Sequence, residues 1–164
     1  MSREDVPVPA ELKARILEIL GGGQLMTLAT LREDGWPQAT TVNYLHRGVT
    51  LYCLVGRESQ KLVNIRRDSR VSVAIAGPRG AERSVSGLSM AARAAEVAEP
   101  HLIEELNHLI WGRREVEAFA PHPSSPSVAV LEIRPEIISL VNYAHPPGQQ
   151  VLLRVVEDFE VEPI

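Results

Sequence analysis

Residues 25–76 read LMTLATLREDGWPQATTVNYLHRGVTLYCLVGRESQKLVNIRRDSRVSVAIA, and the fold turns on this stretch. Gln24–Leu31 has strand character and ends in Arg32-Glu33-Asp34-Gly35, a turn in which glycine is free to take positive φ. Gln38–Leu45, rich in Thr, Val and Tyr, is a second strand. His46-Arg47-Gly48 turns the chain into a third, Val49–Leu54. After Gly56 the sequence Ser59-Gln60-Lys61 opens a short helix carrying Leu62 and Ile65, and Arg70–Ala76 alternates as a fourth strand. The first strand is apolar at Leu25, Ala29 and Leu31 on one side and at Met26 and Leu28 on the other, which suits a barrel strand covered on its outer face as well, by a helix or a second subunit.

Ser59 is a favourable N-cap residue. The first backbone N–H groups of a helix have no intrahelical acceptor, and the helix dipole makes that end attractive to an anion. Lys61 adds a full positive charge. A strand, a glycine, Ser-x-Lys and a helix therefore form a candidate phosphate cradle. Without its context the same motif describes an ordinary capped surface helix with a solvated lysine.

Upstream, Pro9 suits a first helical position, and Leu12, Ile16, Ile19 and Leu20 share a face before Gly21-Gly22-Gly23 ends the helix. This amphipathic helix is expected to close one end of a barrel. Downstream, Val85–Val97 predicts a long strand of small residues, and Pro100–Phe119 predicts a helix with Leu102, Leu106, Leu109, Ile110 and Trp111 on its apolar side. Val128–Ile133 and Ile137–Tyr143 read as two strands separated by Arg134-Pro135-Glu136. Gln150–Val156 is expected as an edge strand, and the acidic segment from about 157 as a frayed tail. Six or more strands with short turns and a few helices predict a single mainly-β domain over 1–164, an antiparallel barrel with flanking helices.

Composition excludes several functions. The 164 residues carry a net charge of −4, which argues against nucleic acid or an anionic membrane as the main partner. Cys53 is the only cysteine, so no intrachain disulfide forms. Met1–Pro9 is charged rather than apolar and does not read as a signal peptide, so a cytoplasmic location is expected. No run approaches the length of a membrane span. His101 and His108 lie two helical turns apart without a third ligand, so no metal site is expected. His122 and His145 precede prolines in loops, and no Ser-His-Asp or glycine-rich nucleotide signature is present.

The ordered set Leu28-Ala29-Thr30, Asp34-Gly35-x-Pro37, Leu51-Tyr52, Ser59-x-Lys61, Asn64-Ile65 and Arg70-Val71-Ser72-Val73 resembles the pyridoxamine 5'-phosphate oxidase-like family of FMN-binding split β-barrels. The likeness runs over roughly residues 10–143 and is stronger in the first half. It implies a Greek-key-like antiparallel split barrel and a homodimer with FMN across the interface. The cofactor phosphate would lie at Ser59 and Lys61, with Gln60 between them also at the cofactor; Thr40, Thr41 and Val42 of the second strand, and Tyr52 and Cys53 of the third, would line the flavin. Trp111 is a candidate to stack near the ring, and Ser89-Met90-Ala91 to border its open face.

Two departures concern phosphate binding. Oxidase members of the family carry arginine where this chain has Thr40 and Gln60. Arg66, Arg67 and Arg70 are candidates to replace that charge, although each also reads as a solvated cation at a helix end. The C-terminal stretch lacks the tryptophan and arginine of the vitamin B6 oxidases, so that substrate does not carry over. Three functions remain in view. One is an FMN-dependent oxidoreductase acting on a small molecule, with catalytic residues unassigned. The second is a deazaflavin-dependent reductase of the same fold. The third is a barrel that binds flavin or haem without turnover, as in a stress-related protein.

Overall fold

The computed structural model describes residues 9–78, 86–111, 126–142, 149–156 and 160–164. Among these residues nine strands join in one antiparallel sheet, in the path β2-β1-β5-β6-β7-β4-β3, with β8 on β7 and β9 on β8. The elements are α1 (Pro9–Gly22), β1 (Leu25–Leu31), β2 (Pro37–Asn43), β3 (Leu45–Arg47), β4 (Thr50–Gly56), α2 (Gln60–Arg67), β5 (Arg70–Ala76), β6 (Ser86–Glu96), α3 (Pro100–Trp111), β7 (Val128–Asn142), β8 (Gln149–Val155) and β9 (Val161–Pro163). The sheet curls until β2 comes beside β4 without a ladder between them, which leaves the barrel split there.

The turn chemistry holds as expected. Gly35 has φ +85°, and Asp34 accepts the Trp36 N–H at 3.1 Å, which pins the β1–β2 hairpin. Gly48 is likewise left-handed between β3 and β4. The second predicted strand is interrupted at Tyr44, whose hydroxyl donates to Leu20 O at 2.8 Å and ties the sheet to the end of α1.

The barrel interior is filled from alternate positions: Met26 and Leu28, Leu51 and Cys53, Val73 and Ile75, Leu88 and Met90, Leu131, Ile133 and Ile138. Leu12, Ile16, Ile19 and Leu20 of α1 close the end where β1 begins, as their spacing predicts. Leu62 and Ile65 of α2 are buried at the other end, where β1 finishes. On the outside of β3, β4 and β7, α3 covers a second apolar cluster of Tyr52, Val130, Leu45 and Leu54.

Two expectations are corrected. Val128–Asn142 is one continuous strand rather than two. Pro135, which lacks an N–H, sits between the stretch of β7 that pairs with β4, ending at Ile133, and the stretch that pairs with β8, starting at Ile137. On its other side a bulge opposite Ala91 and Ala92 absorbs Glu136. The C-terminal segment is not a frayed tail throughout, because Val161–Pro163 pairs with β8 and Val161 is buried in the core. Nor does a helix cover the outer face of β1 among the described residues: Met26, Leu28 and Thr30 are interior, whereas Leu25 is 56% exposed in the single chain. The long helix is described only as far as Trp111, and 112–119 lie outside the described residues.

Candidate functional site

β4 ends at Gly56, and residues 57–59 lead into α2 at the end of the barrel opposite α1. Ser59 occupies the N-cap with extended backbone, φ −73° and ψ 144°, but its hydroxyl does not cap the helix. The Leu62 and Val63 N–H groups are taken by Ser59 O, and the N–H groups of Gln60 and Lys61 have no intrahelical acceptor. Ser59 Oγ is itself buried without a hydrogen-bond partner. A buried hydroxyl left unmatched costs about 1–3 kcal/mol, so an acceptor or donor supplied from outside the chain would relieve it. Lys61 is half-buried beside Cys53 and makes no ion pair among the described residues. One end of one helix thus presents a cation, two free N–H groups and an unpartnered hydroxyl together.

The neighbouring arginines are committed elsewhere. Arg57 donates to Pro126 O, Val128 O and Glu96 Oε1 at 3.1, 2.9 and 2.6 Å, locking the α2 approach onto the start of β7. Arg66 holds the other oxygen of Glu96 at 2.9 Å. The two guanidiniums, Arg66 first, hold the Glu96 carboxyl below the usual range. Arg67 donates to Leu31 O at 2.7 Å, and Arg70 pairs with Asp68 at 2.7 Å and lowers its pKa. The three residues considered as substitutes for the family's phosphate arginines are therefore occupied within the chain.

The remaining expected site residues divide by strand alternation. On β2, Thr40 and Val42 are half-buried on the side facing the barrel, while Thr41 points outward. On β4, Cys53 lies in the barrel core and Tyr52 lies under α3, its hydroxyl donating to Glu132 Oε2 at 3.2 Å. Their side chains leave opposite faces of β4, so they do not line one surface. Burial, then the Glu132 carboxylate, raises the Tyr52 pKa. Ser89 and Ala91 face outward while Met90 is interior. The Trp111 side chain lies outside the described residues. No group of His, Cys, Asp or Glu among the described residues is arranged to hold a metal.

Cys53 carries a measurable consequence. Burial pushes its thiol up to about 12, with Lys61 opposing the shift. The folded protein keeps this proton where the unfolded chain, with an ordinary thiol near 9.0, loses it. Stability is thus unaffected below the unfolded value and falls as pH rises from there toward the folded one. Iodoacetamide at about pH 8 is expected to leave the native thiol unmodified and to label it fully in denaturant. Labelling of the native protein at the rate of a free thiol would contradict this burial, and Cys53→Ala should flatten the alkaline loss of stability.

The sequence marks Asn64 as part of the family pattern but gives it no role. It is 1% exposed, accepts from Gln60 Nε2 at 2.9 Å, and donates to Thr30 Oγ1 at 2.9 Å and Gln38 Oε1 at 3.2 Å. The signal was present as a Gln–Asn pair four residues apart, flanked by the buried Leu62 and Ile65.

The outward face of the sheet is the other unusual surface. Two cross-strand rows run over it: Thr41, Thr27, Ala74, Ser89, Ser139, Leu152, and Ala39, Ala29, Ser72, Ala91, Ile137, Arg154. Only Arg154, at the margin, is charged, although most of the residues in these rows are exposed in the single chain. Exposed sheet faces ordinarily alternate to charged or strongly polar side chains.

Comparison with known proteins agrees with this architecture. The chain is 25% identical over 136 residues to general stress protein 26 of Bacillus subtilis, covering 80% of this chain and 89% of that protein. A pyridoxamine 5'-phosphate oxidase-like protein from Listeria innocua superposes with a TM-score of 0.64 at 29% identity, over 79% of this chain and 97% of the other. An FAD-binding protein from Mesorhizobium loti shares the fold with a TM-score of 0.63 at 19% identity, over 76% and 90% of the two chains. The sequence model of pyridoxamine 5'-phosphate oxidase matches residues 12–142, from α1 through the end of β7. With the split sheet and the α2 turn both falling inside that match, the chain belongs to the pyridoxamine 5'-phosphate oxidase-like family.

Proposed function

We propose that this protein binds a flavin, with FMN as the leading candidate, between two copies of the chain and uses it to move hydride or electrons to a small molecule. The observation that carries the reading is the buried, unpartnered Ser59 hydroxyl beside the Gln60 and Lys61 N–H groups and the Lys61 ammonium, which have no partner among the described residues. That set suits a phosphate: it offers hydrogen-bond donors and a cation at a helix start, where the dipole favours an anion. Thr41 lies on the outward face of β2, where a ring held between two copies would meet its side chain, whereas the half-buried Thr40 and Val42 lie on the barrel-facing side and would meet such a ring only through their backbone. A bound flavin would supply the redox chemistry, while the chain supplies orientation and exclusion of water. The low-charge outward sheet face is where the second copy would dock, and cytoplasmic function is in keeping with the family.

The absorption spectrum of the purified protein tests the cofactor, since a flavin band, a colourless form that takes up deazaflavin, and a Soret band separate the readings. Lys61→Ala is expected to weaken FMN binding at least about tenfold with the fold intact, the loss of one charge-assisted bond to phosphate. Unchanged affinity in a fluorescence titration would remove the cradle assignment. Stopped-flow bleaching of the flavin band by a nicotinamide or deazaflavin donor, followed by reoxidation by a small acceptor, tests turnover. Absence of bleaching in fully loaded protein would reduce the function to binding.

A deazaflavin is the second reading, favoured by one observation. Arg57, Arg66, Arg67 and Arg70 are all occupied, so among the described residues the cradle offers a single free cation, a better match to a singly charged phosphodiester than to a phosphomonoester of charge about −1.5 to −2. Side-by-side titration with FMN and a deazaflavin decides between them.

A further inference from the structure

We propose that Asn64 is the positioning residue of the anion cradle, registering the first turn of α2 against β1 and β2 and so fixing where Ser59, Gln60 and Lys61 present their donors. The inference rests on the phosphate reading of that cradle. Asn is a poor residue for a helix interior, because its amide competes with the backbone. Burying that amide is costly unless its hydrogen bonds are made. Here they are made, and each goes to a different element. Oδ1 accepts from Gln60, one turn earlier and first in the helix; Nδ2 donates to the buried Thr30 hydroxyl near the end of β1 and to Gln38 on β2.

Packing alone does not require an amide, since Leu62 and Ile65 already supply the apolar side of α2. What the amide adds is direction. It fixes the Gln60 side chain, which keeps a second Nε2 hydrogen available, and it ties the helix start to the strand that carries Thr40 and Val42. Loosening this link would blur the donors that meet the phosphate while leaving contacts to the ring in place. The effect should therefore appear in the preference for a phosphorylated flavin over an unphosphorylated one, which a merely structural role would not move.

The test titrates the apoprotein with FMN and with riboflavin. Wild type is expected to bind FMN more tightly than riboflavin by about tenfold or more, the value of charge-assisted bonds to phosphate. Asn64→Ala should reduce that preference to about threefold or less while riboflavin affinity changes by less than about twofold. Thr30→Val keeps shape and removes one anchor, and should give a smaller reduction in the same sense. Equal weakening of both flavins, or an undiminished preference in Asn64→Ala, overturns the positioning role. If Asn64→Ala does not fold, an undiminished preference in Thr30→Val overturns it. A wild type without preference for FMN would instead sink the phosphate reading, and the role of Asn64 with it.

Discussion

Alanine at position 87 is expected to destabilise the protein by about 3 kcal/mol, the upper part of the range for forcing extra atoms into a packed interior. Gly87 lies on β6 between Ala76 of β5 and Val141 of β7. A Cβ added there would stand 2.5 Å from Ile75 O. That oxygen is backbone in a strand of the central sheet, so relief requires the strands themselves to separate. In a domain of this size the loss corresponds to a fall in Tm of about 6–12 °C. Gly22→Ala is the internal control: it lies in α1 with nothing within 4 Å of an added Cβ, and should be neutral or slightly stabilising. Denaturant unfolding of both variants beside wild type checks the pair. Equal stability of Gly87→Ala and wild type would contradict the close approach of β5 and β6.

The second large effect concerns assembly. Ala74→Glu should leave the monomer folded, because the side chain points outward, but should place a carboxylate in the middle of the uncharged rows. Burying an unpaired charge against a second copy costs several kcal/mol, enough to dissociate a dimer built on that face. Light scattering is expected to give twice the chain mass for wild type and the chain mass for the variant, with loss of cofactor in the same step. A variant that remains dimeric and loaded would locate the interface elsewhere.

The first half of the fold was legible because its signals are local. Asp34-Gly35 and Gly48 specify turns by backbone geometry, and Val71, Val73 and Ile75 alternate in sequence as they do in space. The errors arise where a neighbour distant in sequence decides. Pro135 reads as a strand breaker until the ladder shows it lying between the β4-paired and β8-paired stretches of β7. Val161 reads as part of an acidic tail until β8 is there to receive it. At the site, Ser59 and Lys61 were visible from their spacing, whereas the occupation of Arg66 by Glu96 and of Arg67 by Leu31 O was not. Tyr52 and Cys53 are adjacent in sequence, yet the pleat sends one beneath α3 and the other into the core.

The single long strand β7 also sets an order on folding. β1, β2, β5 and β6 can pair among themselves as the chain emerges, but β4 has only the short β3 until Leu51 meets Ile133. The barrel therefore cannot close until the last third of the chain is made, a high-contact-order step that is intrinsically slow. During that interval β4 and β6 each expose a bare edge, and Leu51, Cys53 and Leu88 lack their cover. Chains stopped before residue 128 would carry those edges permanently and are expected to aggregate more readily than the full chain.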